Sequence, residues 1–332
     1  MKSVEEKADI KKRKKLDKEK KRQIEQANKM LIPVNKKTRL SLGILSFDPE
    51  GTLRLTDNRW LKVFEADGDV SNLIKIVDQL SGRIRITMHL RTGCGRETCH
   101  ISLMHIGDIY EQVREKMKVD EELLRRVLSL TRLSINQVMS QVGEQYFKSK
   151  EFSYASSVRS KKDWKQECLG EIEEQDQVFR LLDLYGESFV ILSYPSIVIG
   201  SVAEQLKMLG CECYLSCDLQ VMEAGDKDIF NRTMEKRYNR HIIKLSDEQH
   251  LNTSMSIVVL CDSDDARQII EQMLVAMCAN RDVLLATSFG RQKKTADSIL
   301  TLGIFEERTM RNVNEKVIRG MLGGNSYENP QI

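Results

Sequence analysis

Cysteine and histidine lie close together in one stretch of the sequence. Cys94 and Cys99 are spaced as C-x4-C, His100 and His105 follow, and His89 comes shortly before. Thiols and imidazoles are ligands for zinc, and structural zinc sites usually pair a short Cys knuckle with a second pair farther along the chain. Residues 100 and 105 of one strand, however, point to opposite faces of a sheet. We therefore interpret these residues as hairpin and core side chains, with a zinc site as the alternative.

A second set of thiols alternates along one predicted strand. Cys211, Cys213 and Cys217 share one face of that strand, but no histidine or acid is placed as a fourth ligand. Cys261 and Cys278 occur in apolar stretches, where free cysteine behaves as a small hydrophobic residue. Cysteines in a chain without an apolar N-terminal signal segment indicate a reducing, cytoplasmic location. We predict no metal and no cofactor.

Nucleotide-binding and hydrolase motifs are absent from the sequence. A phosphate-binding loop needs a Gly-rich turn followed by Gly-Lys-Ser/Thr. The nearest match, Gly-Arg-Gln-Lys-Lys-Thr at 290–295, lacks the second glycine. Neither G-x-G-x-x-G nor G-x-S-x-G occurs, and no histidine stands beside a Ser or Cys that it could activate. We therefore predict that the protein is not an enzyme and has no catalytic residues.

Positive charge is concentrated at the N-terminus. The chain of 332 residues has a net charge of +3, yet residues 1–39 carry 15 Lys/Arg against 6 Asp/Glu. The rest of the chain is therefore mildly acidic. The cations that we expect to bind an anionic surface are Lys11, Lys12, Arg13, Lys14, Lys15, Lys18, Lys20, Lys21 and Arg22.

Three interpretations of this basic arm remain open. It could neutralise the phosphates of a nucleic acid, although it has no aromatic residue on which bases could stack. It could lie on an anionic membrane surface, although it has no apolar helical face to insert into lipid. It could also be a solvated tail without a partner.

Composition and element patterns predict the organisation of the chain. Apolar residues make up 41% and charged residues 30%, a balance typical of globular proteins, and no apolar run is long enough to span a membrane. We predict a basic arm at 1–35, a β-rich α+β domain at 36–147, a linker at 148–163, an α/β plait domain at 164–322 and a tail at 323–332. The linker is placed where Ser and charged residues accumulate.

The predicted fold class is α+β with an α/β element. We expect two small mixed sheets packed with helices, the second a ferredoxin-like plait of about four strands, and an arm that is helical or disordered. In the first half, apolar spacing predicts one long helix at 121–147. In the second half, a charged helix is predicted at 164–184, before two strand–helix–strand units. No fixed-period repeat is visible.

Several stretches resemble the N-terminal, non-ATPase region of the conjugative-transfer (type IV secretion) ATPases of Gram-positive elements. The first comprises Phe-Asp-Pro-Glu-Gly-Thr-Leu-Arg at 47–54 and the segment 57–65, which ends in Phe-Glu. The second is Leu-Lys-Met-Leu-Gly-Cys-Glu-Cys at 206–213. The third, at 292–303, is similar to a Gln-rich helix with a Leu-Pro-Leu-Gly turn, but Thr301 replaces the proline. Segments 308–309 and 317–322 resemble the approach to the ATPase domain, and Gly323 stands in place of the proline that opens it.

The resemblance implies a non-catalytic interaction component of a conjugative-transfer apparatus, without the nucleotide-binding domain. It implies contacts with other channel subunits and a cytoplasmic location, peripheral at the inner face of the membrane. The alternative is a nucleic-acid-binding protein that uses the basic arm as its main contact.

Overall fold

A computed structural model shows the fold of the chain. It describes residues 4–27, 32–33, 43–48, 50–91, 97–147, 170–195, 200–221, 250–303 and 310–323. The fold is α+β, as predicted, with one antiparallel sheet and helices on both of its faces. The basic arm forms helix α1 (Val4–Ala27), and a short strand β1 (Ile32–Pro33) joins the edge of the sheet.

The first unit of the fold covers β2 through α3. Its strands are β2 (Ile44–Phe47), β3 (Leu53–Leu55), β4 (Arg59–Asp67), β5 (Arg83–Arg91), β6 (Thr98–Ile106) and β7 (Ser129–Arg132). A 3-10 helix (Val70–Gln79) connects β4 to β5, helix α2 (Tyr110–Arg125) connects β6 to β7, and helix α3 (Ile135–Phe147) follows β7.

The second unit covers β8 through α6. Its strands are β8 (Ile172–Glu174), β9 (Phe179–Leu181), β10 (Leu184–Ser193), β11 (Glu212–Val221), β12 (His250–Cys261) and β13 (Leu284–Thr287). Helix α4 (Val202–Leu206) connects β10 to β11, helix α5 (Asp264–Ala279) connects β12 to β13, and helix α6 (Gln292–Leu300) follows β13. Strand β14 (Arg311–Asn314) and helix α7 (Glu315–Leu322) come after the second unit.

The two units have the same architecture. Each begins with a hairpin, β2–β3 or β8–β9, whose second strand pairs with the next strand of the unit. Four strands and two helices then form a ferredoxin-like plait, with the strand orders β7-β4-β6-β5 and β13-β10-β12-β11. The plait predicted for the second half is thus confirmed, and a second plait that the sequence did not reveal occupies the first half.

Strands β5 and β11 join the units into a single sheet. They pair antiparallel from Ile84↔Leu219 to Arg91↔Glu212. From this joint outward, the first unit continues with β6, β4 and β7, and the second unit continues with the equivalent strands β12, β10 and β13. The arrangement has an approximate two-fold axis near the pair Thr87↔Ser216. The chain therefore contains two copies of one structural unit, which are related to each other like the two protomers of a symmetric dimer.

The sheet is covered on both faces. One face packs against the 3-10 helix, α2, α4, α5 and α7, through residues such as Leu73, Met117, Leu206, Leu274 and Ile318. The other face packs against α3 and α6 through Val138, Val142, Ile299 and Leu300. The hydrophobic core on each face of the sheet contains residues of both units, because the sheet is continuous across the joint.

Three predictions about the fold are corrected. The two expected mixed sheets are one antiparallel sheet among the described residues, because β5 and β11 pair along their length. The helix predicted at 121–147 is interrupted by β7, which pairs with β4 and buries Leu130. Residues 170–184 of the helix predicted at 164–184 form β8, β9 and the start of β10.

The division into domains stays a prediction. The linker at 148–163 and residues 324–332 of the tail lie outside the described residues. Pro33, within the predicted arm at 1–35, pairs with Ser46 at the edge of the sheet.

The turn predicted at 48–51 connects β2 to β3 and lies against the segment before α3. The backbone N–H of Gly51 donates to the carbonyl of Asp48 at 3.1 Å, and that of Thr52 donates to the Asp48 carboxylate at 2.7 Å. Gly51 has a φ of +86°, and a Cβ at this position would lie 2.3 Å from the carbonyl oxygen of Leu133. Glycine is therefore required both for the left-handed backbone and for the close approach of the segment before α3.

Candidate anionic-surface interface

The basic arm is helical because its sequence has no residue that breaks a helix. Residues 4–27 contain neither Pro nor Gly and are rich in Lys, Glu and Gln, which have high helix propensity. All nine predicted cations, at positions 11 to 22, have exposed side chains. The structure therefore brings every residue of the predicted site together on one solvent-exposed helix.

Six of the nine cations form a stripe along α1, which we call the cationic stripe. Its members are Lys11, Lys14, Lys15, Lys18, Lys21 and Arg22. Spacings of three, four and seven residues place these side chains on one side of an α-helix. The stripe is about 16 Å long at a rise of about 1.5 Å per residue. Lys12, Arg13 and Lys20 project from other sides of the helix.

The arm touches the body of the protein with the side opposite the stripe. Lys20 Nζ lies 3.4 Å from the Asp108 carboxylate in the loop before α2. Ile24, one turn after Lys20 on the same side, is half-buried, whereas residues 10–23 are exposed. Since Lys20 contacts the body, the cationic stripe on the opposite side of α1 faces away from that contact. The contact itself is weak, because Lys20 is 70% exposed.

Buried ion pairs occupy equivalent places in the two units. In the first unit, Lys62 on β4 binds Glu121 on α2, with 3.2 Å between Nζ and Oε2. In the second unit, Arg267 on α5 binds Glu187 on β10, with 2.5 Å between Nη1 and Oε2. Each pair joins the first strand of a plait to its second helix, with the charges reversed. All four side chains are at most 7% exposed.

The environment of each pair sets the pKa of its carboxyl group. Burial alone would raise the pKa of Glu121, but the hydrogen bond from Arg132 and the charge of Lys62 lower it overall. For Glu187, burial and the neighbouring Glu271 raise the pKa to about 7, against the opposing effect of Thr287 and Arg267. Both pairs connect elements of the core.

The face of the sheet beneath α3 and α6 is polar at the joint. Arg85 binds Asp218 across the strands, and the ring of His89 stacks on that of Tyr214 with centroids 4.3 Å apart. These two cross-strand pairs flank Thr87↔Ser216 symmetrically. His100, beside Thr87 on β6, is buried, and burial lowers its pKa to about 4. This region holds the units together through polar contacts.

The histidines and cysteines considered as zinc ligands are dispersed. His105 lies 2.9 Å from Asp120 on the α2 side of the sheet, whereas His100 is on the other face. Cys94 lies outside the described residues, so the pairing of Cys94 with Cys99 stays untested. In the described ranges no three His, Cys, Asp or Glu side chains are arranged to hold a metal ion.

The thiols at the start of β11 lie next to a cysteine of β12. Cys211 and Cys213 have sulfurs 3.4 Å apart, and Cys211 also hydrogen-bonds Cys261 of the adjacent strand. Cys217 lies deeper in the same core, next to Thr253. The hydrogen bond with Cys213 and burial raise the pKa of Cys211, against the opposing effect of Cys261. The hydrogen bond with Cys211 and burial raise the pKa of Cys261, so both thiols stay protonated.

The loop that resembles a phosphate-binding motif is already occupied by protein groups. Gly290 has a φ of +66° and leads into α6, as a phosphate loop would. However, the Gln292 side chain accepts from the backbone N–H of Ser188 at 2.6 Å, and Glu174 accepts from the backbone N–H of Lys293 at 3.1 Å. A carboxylate at the start of the helix takes the place that a phosphate would need.

No protein-family model matches the chain, and no curated protein is found to be similar to it. Among the helices of the described ranges, none combines the length and the apolar character that a bilayer-spanning segment requires.

Proposed function

We propose that this chain is a non-catalytic interaction component of a conjugative-transfer (type IV secretion) apparatus, held at the inner face of the membrane by its basic arm. The resemblance of segments 47–65, 206–213 and 292–303 suggests the apparatus. The observation that carries the proposal is the cationic stripe, which faces away from the body of the protein.

The stripe fits a flat anionic surface. Each basic residue near anionic headgroups contributes about 1 kcal/mol, so six on one side of a helix amount to roughly 6 kcal/mol before losses from ordering the arm. The exposed apolar side chains Ile10 and Leu16 are isolated on α1. The arm therefore supports binding on the surface rather than insertion into lipid.

A nucleic acid remains the alternative ligand, because its phosphates attract the same six cations. The two ligands differ in what they require. A stripe about 16 Å long on one side of a helix suits a plane of headgroups. A nucleic-acid complex would be expected to add stacking or base-edge contacts, and the arm lacks the aromatic residues for stacking.

The proposed absence of catalysis rests on how the buried ionisable groups are used. Glu121 is paired with Lys62, Arg125 and Arg132, and Asp120 accepts hydrogen bonds from the backbone of Ser81 and Gly82. Buried carboxylates whose hydrogen bonds and ion pairs are all made within the packed core have a structural role. This arrangement is typical of a scaffold that offers surfaces to other subunits.

Transfer assays in donor cells test the proposed function. We expect deletion of the gene to lower the frequency of conjugative transfer, and the wild-type gene to restore it. The variant Lys14→Ala/Lys18→Ala should restore transfer poorly, whereas Lys12→Ala/Arg13→Ala, which removes as much charge outside the stripe, should restore it well. Normal transfer in the deletion strain would contradict the proposal.

A further inference from the structure

Strand β12 pairs with two different strands along one edge. Its C-terminal half pairs with β10, as far as Val190↔Ser256. Beyond that point β12 pairs with β14, while the last residues of β10 pair with β13 on their other side. The sheet therefore forks, and a gap separates the end of β10 from β14.

A cleft of about 390 Å³ lies in this fork. Its walls are residues 192–195 at the end of β10 and residues 311–314 of β14, with His250 and Val317 completing the lining. The volume is within the range of small-molecule sites. None of the ten lining residues that the structure describes is acidic, whereas Arg311 provides a cation and His250 an imidazole. The cleft therefore favours an anionic ligand.

Arg311 is held across the gap. Its Nε–H donates to the carbonyl of Leu192 at 3.2 Å, and its Nη1 donates to the carbonyl of Met310 at 2.9 Å. A guanidinium has five N–H donors, so these two bonds orient the group and leave others for a ligand. The planar fork of a guanidinium matches the paired oxygens of a carboxylate or a phosphate. The Ser193 hydroxyl and the Asn312 amide line the same space.

The geometry points to a binding site in this cleft for a small molecule that carries a carboxylate or phosphate group. Arg311 is the main ligand of the oxyanion, and His250 and Asn312 supply further polar contacts. This site is separate from the cationic stripe and does not depend on the proposed role in conjugation. Among the described residues, the fork is seen in the second unit.

Calorimetric titration of the full chain with inorganic phosphate, acetate and succinate tests this site. Wild type and Lys14→Ala/Lys18→Ala should bind one of these anions equally, because the stripe is not involved. Arg311→Ala should bind that anion at least about tenfold more weakly, since losing a charge-assisted hydrogen bond costs about 1.5–3 kcal/mol. Lys316→Ala removes an exposed cation of α7 that does not line the cleft, and should bind like wild type.

The choice among probes identifies the ligand chemistry. Saturation by phosphate but not by the carboxylates indicates a phosphate-bearing ligand, and the reverse indicates a carboxylate. A melting curve for Arg311→Ala like that of wild type shows that the substitution leaves the fold intact. Equal affinity in Arg311→Ala and wild type, or no saturation by any of the three anions at about 10 mM, would overturn the proposal.

Discussion

Arg85 and Asp218 face each other across the two strands that join the units. Arg85 Nε donates to Asp218 Oδ1 at 2.8 Å, and Arg85 Nη2 donates to Oδ2 at 2.7 Å. The same guanidinium also donates to the carbonyl and the hydroxyl of Ser298 on α6. One buried side chain therefore connects β5, β11 and α6, and both units depend on it.

The first prediction concerns this joint. Asp218→Asn keeps the shape of the side chain but leaves the charge of Arg85, which is only 4% exposed, without its carboxylate. We expect the free energy of unfolding to fall by about 3–5 kcal/mol, the usual cost of removing one partner of a buried pair. Urea unfolding followed by circular dichroism measures this change.

The double variant Arg85→Met/Asp218→Leu is the control for the joint. It removes both charges and replaces them with apolar side chains of similar size, so it should be more stable than Asp218→Asn. A cost below about 1 kcal/mol for Asp218→Asn would show that the pair does not hold the units together.

The second prediction contrasts the two partners of the buried pair on α2. Glu121→Gln leaves the Lys62 ammonium buried without a carboxylate, and should cost about 3–5 kcal/mol. Lys62→Met should cost less, because Arg125 and Arg132 continue to bind Glu121. Chemical unfolding of both variants at one pH gives the comparison. Equal costs would mean that the two arginines do not compensate for the loss of Lys62.

The third prediction concerns the pH dependence of stability. Burial and the neighbouring Glu271 raise the pKa of Glu187 to about 7, above its ordinary value of 4.5. The stability that protonated Glu187 contributes is therefore complete below pH 4.5, and is lost as the pH rises through 7. Relative to Glu187→Gln, wild type should lose about 2–3 kcal/mol between pH 4.5 and pH 8.

His100 acts in the opposite direction over an overlapping range, so the comparison must be made between variants. Its pKa, lowered by burial from 6.5 to about 4, gives stability that is present above pH 6.5 and lost as the pH falls toward 4. Subtracting the unfolding curve of Glu187→Gln from that of wild type removes this contribution. A difference that stays constant from pH 4.5 to pH 8 would exclude the raised pKa of Glu187.

The fourth prediction concerns the turn before β3. Gly51→Ala places a methyl group against the carbonyl oxygen of Leu133 and requires a left-handed backbone at a non-glycine residue. We expect a loss of about 2–3 kcal/mol. Gly210→Ala is the matched control, because its φ is also positive at +79° but no atom lies within 4 Å of the added carbon. Equal losses for the two variants would remove the steric part of the explanation.

The sequence predicted most strands but did not reveal the duplication. Short apolar stretches located β4, β5, β11 and β12, and α6 was predicted at its observed bounds. The duplication was missed because β7 is short and its one leucine, Leu130, fits the apolar spacing of the helix predicted at 121–147. If β7 is not recognised, the first half is predicted to be a meander followed by two helices. Its similarity to the second half then cannot be seen in the sequence.

The candidate site was predictable in composition but not in orientation. Counting charges identified the nine cations at positions 11 to 22 of the arm. The sequence did not show which side of the helix faces the body, because that depends on the contact between Lys20 and Asp108, 88 positions apart. The cleft beside Arg311 was likewise hidden, since it forms only where β10, β12 and β14 meet.

Co-sedimentation with lipid vesicles tests the central claim most directly. Wild type should bind vesicles that contain anionic phosphatidylglycerol, bind pure phosphatidylcholine poorly, and lose binding as salt is raised. Lys14→Ala/Lys18→Ala should weaken binding by about 2 kcal/mol, and Lys12→Ala/Arg13→Ala should weaken it clearly less. Equal losses in the two variants, or tight salt-sensitive binding to duplex DNA together with indifference to anionic vesicles, would contradict a membrane-facing cationic stripe.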